Sequence, residues 1–197
     1  MSDFIMAYPT TPVFQSVNLK SNDKTLTSQT VNGRTQSRKL ASQYWEFSAK
    51  YPPMTQADFM PVYAYVMKQQ GQSETFTVRI PVLEDARGTA SGTFKVNGAK
   101  SAGQTTIVVD GITGTIVEGD LIKFSHDKVY MVVGHTETSS NTTSIDIQPP
   151  LRSNVADNET ITYDNVEMKV RLRNDVQSFG LGNNGLISYE VDFIEAL

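Results

Sequence analysis

The 197-residue sequence contains no cysteine and only two histidines. Disulfide bonds, thiolate metal ligands and cysteine nucleophiles are therefore excluded, so stability has to come from packing or from assembly. No stretch approaches the roughly 18 consecutive apolar residues that a membrane-spanning helix needs. Residues 1–11 also lack the basic segment and apolar run of a secretory signal. We expect a soluble protein, made in the cytoplasm, with no membrane partner.

Basic residues are outnumbered, with 17 Lys and Arg against 21 Asp and Glu, for a net charge of −4. This balance argues against the broad basic surface of a protein that binds duplex DNA. Hydrophobic residues make up 39% of the chain, which is enough for a folded core. The length alone is compatible with one domain or two.

Long alternating segments lie near both ends of the chain. In the strand-like segment 34–50, Trp45, Phe47 and Ala49 share one face, and residues 74–82 continue this pattern, with Phe76, Val78, Ile80 and Val82 on one face. Alternation returns in two segments after residue 164, with apolar positions at Val166, Met168, Val170 and Leu172, and at Ile187, Tyr189, Val191 and Phe193. We expect the final strand to pair with the strands near 40–50 and 74–82.

One helix is predicted between the first two long strands. Thr55 and Asp58 fit a capping box, Phe59, Val62 and Val66 recur at helical spacing, and Gly71 provides a stop. Pro61 removes a backbone donor and disfavours helical geometry at the preceding residue. We therefore expect the regular helix to begin at Pro61, with a looser turn before it.

Residues 84–164 have a different sequence pattern, with short predicted strands separated by frequent turn signals. Six strands are predicted, at 92–96, 105–109, 121–124, 129–133, 144–147 and 160–163, and turns such as Asn97-Gly98 and Asp110-Gly111 lie between them. Such a series without a helix is typical of a small barrel or sandwich. The sequence thus predicts a discontinuous core domain, 1–83 plus 165–197, with an inserted β-barrel domain at 84–164. The polar residues 1–33 are predicted to form an arm or a long hairpin.

Catalytic and metal-binding patterns are missing from the sequence. His126 and His135 lie outside any triad or ligand spacing, and we interpret both as solvated turn histidines. Glu84 and Asp85 are adjacent on the chain, and Glu118 and Asp120 flank a turn glycine, which favours solvated carboxylates over a glycosidase pair. We predict no catalytic, cofactor-binding or metal-binding residues and no cofactor.

The run Gly180-x-Gly182-x-x-Gly185 has the letters of the dinucleotide-binding fingerprint. That fingerprint needs a preceding buried strand and a following helix, and here a strand follows, so we interpret the run as a hairpin loop. Positive charge is concentrated at Arg34, Arg38, Lys39, Arg79, Lys169, Arg171 and Arg173. Two interpretations remain open for these cations: a solvated sheet face, or a charged rim that pairs with acidic residues of a neighbouring subunit.

The order long strand, helix, long strand and two further long strands resembles the core of the tail-tube and distal-tail proteins of long-tailed bacteriophages. Tyr44-Trp45-Glu46-Phe47 followed by the helix at 59–67 resembles the strand and flanking helix of that core. Gly103-x-Thr105-Thr106-Ile107-x-Val109, Gly119-Asp120-x-Ile122-x-Phe124 and Val129-Tyr130-x-Val132 resemble a small β-barrel insertion found in phage structural proteins. The resemblance implies a mainly β fold with one helix, that is, a tail-tube-like core interrupted by a small barrel.

The resemblance further implies a non-enzymatic structural component of the virion tail, made in the host cytoplasm. Subunits of this family form rings, usually hexamers, around a channel through which DNA passes without specific binding, and they contact other tail proteins such as tube, hub and fibres. A ring component of the distal tail, the tail tube or the baseplate is therefore our first hypothesis.

Two other hypotheses stay open at this point. The insert is a candidate glycan- or host-surface-binding module, with Tyr130, His126, Asp127 and His135 as candidate lining residues. It offers few aromatic rings for stacking on sugars, namely Phe94, Phe124, Tyr130 and Tyr163. A cell-wall hydrolase is disfavoured, because no set of acid, base and nucleophile can be assembled from the sequence.

Overall fold

The computed structural model describes residues 7–40, 42–111, 113–139 and 142–197. Within them the chain forms one α-helix and fourteen β-strands, which confirms the mainly β fold with one helix. The elements are β1 (Ser16–Asn22), β2 (Thr25–Gln29), β3 (Thr35–Lys39), β4 (Tyr44–Lys50), α1 (Gln56–Lys68), β5 (Phe76–Arg79), β6 (Phe94–Val96), β7 (Thr106–Asp110), β8 (Leu121–Lys123), β9 (Val129–Ser139), β10 (Thr142–Gln148), β11 (Thr160–Ile161), β12 (Glu167–Leu172), β13 (Phe179–Leu181) and β14 (Ile187–Glu195).

The long strands form one sheet in the order β1-β4-β14-β12-β5, and β13 also pairs with β14. The pairing of β14 with β4 sets Val191 beside Ala49 and Phe193 beside Phe47, and the last two rings lie 4.8 Å apart. The apolar residues that alternate along β4, β12 and β14 are buried, as the pattern predicted. The predicted pairing of the final strand with residues 40–50 is confirmed. The second predicted partner is wrong, because β5 lies next to β12.

Helix α1 begins earlier than expected. It starts at Gln56 and contains Pro61, so the prediction of a start at Pro61 is wrong. The Thr55 hydroxyl accepts a hydrogen bond from the Asp58 backbone N–H, which satisfies a donor of the first turn. Phe59 is fully buried. Capping and burial together hold the first turn despite the backbone donor that Pro61 lacks.

Two predicted strands are shorter than expected. Residues 34–50 form β3 and β4 instead of one strand, because the Leu40 N–H bonds back to the Lys24 carbonyl and ends the β2–β3 hairpin. Strand β5 ends at Arg79, and Val82 is 84% exposed with φ 73°, so its assignment to the buried face is wrong. Pro81 cannot donate to a ladder, and the chain turns there, with the Leu83 N–H bonded to the Ile80 carbonyl.

The six short strands predicted between 92 and 163 are present as β6–β11, with β9 and β10 longer than expected. They form a sheet in the order β11-β6-β7-β10-β9-β8. Lys123 at the β8 edge exchanges two backbone hydrogen bonds of 2.8 Å with Thr162, next to β11. This bridge nearly closes the sheet into a barrel, whose interior holds a continuous apolar cluster that includes Phe94, Ile122 and Tyr130.

The chain divides into two compact units. The first comprises the described part of residues 1–10, Phe76–Lys169 and Ala196–Leu197, and the second comprises Thr11–Thr75 and Val170–Glu195. These bounds follow spatial proximity and do not coincide with the predicted domains, 1–83 plus 165–197 and 84–164. The predicted domain division therefore stays a prediction.

Candidate assembly surfaces

His126 lies in the bend between β8 and β9, as predicted, but it is half-buried, so the prediction that it is solvated is wrong. Its ring stacks on Phe124 at 5.7 Å, and its Nε2 lies 2.7 Å from the Tyr130 hydroxyl. That hydroxyl accepts a hydrogen bond from the Arg152 backbone N–H at 2.9 Å, which leaves its own hydrogen available for His126 Nε2. Burial lowers the pKa of His126, in keeping with a neutral ring that accepts this bond.

His135 and the carboxylates near it have structural roles. His135 lies inside β9, so its interpretation as a turn histidine is wrong, and its Nδ1 is 2.9 Å from Glu118 Oε1. A hydrogen bond from its own backbone N–H, followed by the bond from His135, lowers the pKa of the exposed Glu118. Asp120 is buried, not solvated as predicted, because it accepts hydrogen bonds from the backbone N–H groups of Val117 and Arg87.

The glycan hypothesis depended on exposed aromatic rings in the insert. Phe94, Phe124, Tyr130 and Tyr163 are all buried, so none of these four rings is presented for stacking on a sugar. The side chains that were proposed to line the site are also engaged, since Asp127 accepts a 2.9 Å hydrogen bond from Lys169.

The predicted cationic cluster is divided among several places. Arg79 donates to Glu167 at 2.7 Å, Lys169 pairs with Asp127, and Arg173 pairs with Glu46, whose carboxylate is buried. These three cations are thus paired within the subunit. Both interpretations of the cluster, a solvated sheet face or a charged rim, stay predictions. Arg34, Arg38 and Lys39 lie on the β2–β3 hairpin.

Strand β1 gives the sheet an open edge. It pairs along its length with β4, from Ser16 opposite Lys50 to Asn22 opposite Tyr44, and among the described residues no other strand pairs with it. The opposite edge strand, β5, is partly covered, because Ala7 bridges Thr77 and the Tyr8 N–H bonds to the Thr77 carbonyl at 2.8 Å. An open seven-residue edge is a template for pairing with another strand.

Strands β2 and β3 form a two-stranded sheet of their own, here called the cationic hairpin (residues 25–39). Every residue of both strands is exposed, and the loop residue Val31 is fully exposed. Gly33 adopts φ 76°, which completes a three-residue loop of the kind that ends in a left-handed residue. The segment has three basic residues and no acidic ones, so it carries a net charge of +3.

Helix α1 and β13 carry exposed apolar residues on adjoining surfaces, here called the α1–β13 surface. Met60, Ala64 and Met67 recur at helical spacing on the exposed side of α1. The Phe179 ring on β13 lies 4.9 Å from Phe59 and 5.2 Å from Tyr63 of the helix, which brings the two elements together. Phe179 itself is 44% exposed, and its neighbours Val176 and Leu181 are more exposed still, at 83% and 71%.

A buried aromatic cluster supports this surface from below. The Tyr189 ring contacts Phe59 at 5.4 Å and Tyr51 at 6.0 Å. Burial, reinforced by the neighbouring Tyr51 and Tyr63, raises the pKa of Tyr189 well above its ordinary value. Its hydroxyl reaches Gln177 at 3.2 Å, on the link between β12 and β13. The exposed apolar residues therefore rest on a packed base.

Sequence reasoning missed the α1–β13 surface. It interpreted the Gly-rich run as a hairpin loop, which the turn between β13 and β14 confirms, but it did not assign Phe179–Leu181 to a strand. The signal that was available is the i, i+4, i+7 spacing of Met60, Ala64 and Met67 on the side opposite the buried residues of α1.

No group of three or more His, Asp or Glu side chains in the described ranges is arranged to hold a metal ion. The described helix is too short and too polar to cross a membrane.

Comparison with known proteins gives two family matches that together span most of the chain. Residues 4–83 match the profile described as distal tail protein pb9, A domain, N-terminal, and residues 85–166 match that of distal tail protein pb9, B domain. Distal tail protein pb9 of Escherichia phage T5 is 28% identical over 181 residues, which cover 89% of this chain and 87% of that protein. The chain therefore belongs to the distal tail protein family of bacteriophages and is a structural protein of the virion tail.

Proposed function

We propose that the protein assembles into a ring, with six subunits expected, that lies at the distal end of the tail or in the tail tube. The observation that carries the proposal is the open edge of β1 in a chain of the distal tail protein family. A free edge is a liability in an isolated subunit, and closure of a ring by neighbouring copies satisfies every such edge. The ring links the tube to the tip or baseplate and encloses the channel for DNA.

The predicted domain division gives this ring its layout. Core domains, residues 1–83 plus 165–197, form the inner β-barrel around the channel, and the inserted domains at 84–164 lie on the outside. The family matches support the division, since one ends at residue 83 and the next runs from 85 to 166. The nearly closed insert barrel supports it as well, because a closed sheet has no long edge to share with a neighbour.

The proposed role is non-enzymatic and requires no cofactor. The partners are further copies of the chain and other tail proteins, namely tube, hub and fibres, while DNA passes through the channel without specific binding. The net charge of −4 supports passage without retention, because it offers no broad basic surface to phosphates.

Self-assembly is tested with the purified full-length protein. Size-exclusion chromatography with light scattering over a wide concentration range, together with negative-stain images, is expected to show rings with a central channel. Native mass spectrometry then counts the subunits. A strict monomer at every concentration contradicts the ring, and a closed oligomer of another size contradicts only the number six. Immunogold labelling of intact virions checks the position at the distal end of the tail.

A further inference from the structure

The cationic hairpin has few contacts with the rest of its own subunit. One ion pair of the hairpin, Lys39 with Asp23 at 3.3 Å, lies at its base. Arg34 lies at the loop and Arg38 lies opposite Leu26, and neither forms an ion pair within the described residues. An isolated two-stranded hairpin is marginally stable in water, and this one presents Leu26 and Val31 to solvent. A surface that covers the hairpin would stabilise it.

The α1–β13 surface has the complementary character. Its apolar residues lie beside two carboxylates at the carboxyl end of α1, Glu74 and Asp175, and Asp175 accepts a 3.0 Å hydrogen bond from the Gln72 N–H. The carboxyl end of a helix carries partial negative charge. Two carboxylates at this end add to that negative charge, so a cation that binds there is stabilised. Lys68, in the last turn, is the one basic residue of the helix, and it leaves this end with a net negative charge.

We propose that the cationic hairpin of one copy binds the α1–β13 surface of a second copy. Val31 and Leu26 pack against Met67 and the β13 side chains, while Arg34 and Arg38 reach Glu74 and Asp175. The occupant is a second copy because its hairpin matches both the apolar and the acidic parts of the surface, and because these two surfaces hold most of the exposed large apolar side chains of the described chain. The inference rests on the proposed self-assembly and identifies one contact within it.

Cysteine pairs give a direct test, since the natural chain has no cysteine. One preparation carries Val31→Cys alone and a second carries Met67→Cys alone, and they are mixed under assembly conditions with a short bismaleimide. We expect a crosslinked dimer of the two variants, because the hairpin of one copy lies on the helix of another. Val133→Cys, on an exposed strand position of the barrel, replaces Met67→Cys as the matched control and is expected to give no product.

Charge exchange gives a second and independent readout. Glu74→Lys is expected to raise the concentration at which rings form by about tenfold, through repulsion of the hairpin arginines. Arg34→Glu is expected to act in the same way, and the two changes together are expected to recover most of the loss. Glu137→Lys, an exposed acidic residue of β9, is the control and should leave assembly unchanged.

The outcomes separate this contact from the ring itself. Wild-type protein that stays monomeric contradicts the proposed function. Rings that form normally, but without the Val31–Met67 crosslink and without any effect of Glu74→Lys, overturn the hairpin contact and leave the ring intact. Equal crosslinking with the Val133→Cys control also overturns it, since random collision would then account for the product.

Discussion

The insert barrel and the cationic hairpin differ in how far each completes its own structure. The barrel joins Lys123 to Thr162 across its opening and encloses an apolar cluster with several fully buried members. The hairpin is hydrogen-bonded along its two strands, but all its strand residues are exposed. One region is stable through what it encloses, and the other depends on what covers it.

This difference assigns separate physical roles to the two regions. A sheet that is nearly closed has few free backbone groups, so its faces and loops are what it offers to other molecules. An exposed hairpin and an open edge strand offer backbone groups and flat surfaces, which are suited to another copy of the chain. Substitutions in the barrel should therefore change the stability of the subunit, and substitutions in the hairpin should change assembly.

The largest expected effect comes from the barrel core. Phe94 is buried and its ring lies 4.3 Å from that of Tyr163. Phe94→Ala removes this contact and leaves a cavity, so we expect a loss of about 3–5 kcal/mol in the free energy of unfolding. Denaturation followed by circular dichroism measures it. Val31→Ala, at the exposed hairpin loop, is the matched control and should change the free energy of unfolding by less than about 0.5 kcal/mol. Equal losses in both variants would abolish the contrast.

The second-largest expected effect concerns the buried carboxylate of Asp120, which bonds to two backbone segments. Asp120 accepts bonds from the Val117 and Arg87 N–H groups at 2.9 and 3.0 Å. Asp120→Ala leaves these donors without an acceptor, and we expect a loss of about 2–3 kcal/mol. Asp120→Asn keeps one acceptor oxygen and should lose less. The exposed neighbour Glu118→Gln should change the unfolding midpoint little, and a loss as large as that of Asp120→Ala would contradict the role of burial.

Much of this fold follows from periodicity in the sequence. The two-residue alternation placed Trp45, Phe47 and Ala49 on a buried face, and the turn signals located all six barrel strands. Both patterns are local, since each strand carries its own alternation and each turn its own glycine or asparagine. The helix was predicted for the same reason, although its start was predicted at Pro61 and lies at Gln56.

Long-range contacts set the limits of that prediction. Nothing near His126 in the sequence shows that its ring will bond to the Tyr130 hydroxyl. Nor does it show that the Arg152 backbone N–H will donate to the same hydroxyl. Asp120 resembles any turn carboxylate until Arg87, 33 residues away, is seen to bond to it. The partner of β5 could not be chosen either, because alternation defines the faces of a strand and does not select its neighbours.

A smaller expected effect is a pH dependence of stability. It distinguishes the half-buried His126 of the structure from the solvated histidine that the sequence predicted. The pKa of His126 in the folded protein lies below the unfolded value of 6.5, because burial disfavours the charged ring. As the pH falls through 6.5 the unfolded chain binds this proton first, so the free energy of unfolding decreases with falling pH until the folded pKa is reached.

The measurement is the unfolding midpoint at several pH values between 8 and 5. Four charged groups lie near the His126 ring. Glu159 and Asp127 oppose the lowering of its pKa, and Lys123 and Arg152 add to it. His126→Gln keeps an acceptor for Tyr130 and removes the titration, so its profile should be flatter in this range. An identical slope in both proteins would assign the dependence to other groups.

The smallest expected effect is confined to the hairpin and tests its independence most directly. Gly33 has φ 76° with open space around it, so Gly33→Ala meets no clash and suffers only from the left-handed backbone, at about 1 kcal/mol. Amide hydrogen exchange of residues 25–39 should become faster in the isolated subunit. The fluorescence of Trp45, the one tryptophan of the chain and buried in β4, should report an unchanged unfolding midpoint. If the unfolding midpoint shifts as expected for a loss of the full amount, about 1 kcal/mol, the hairpin folds together with the sheet. The two regions would then be one cooperative structure.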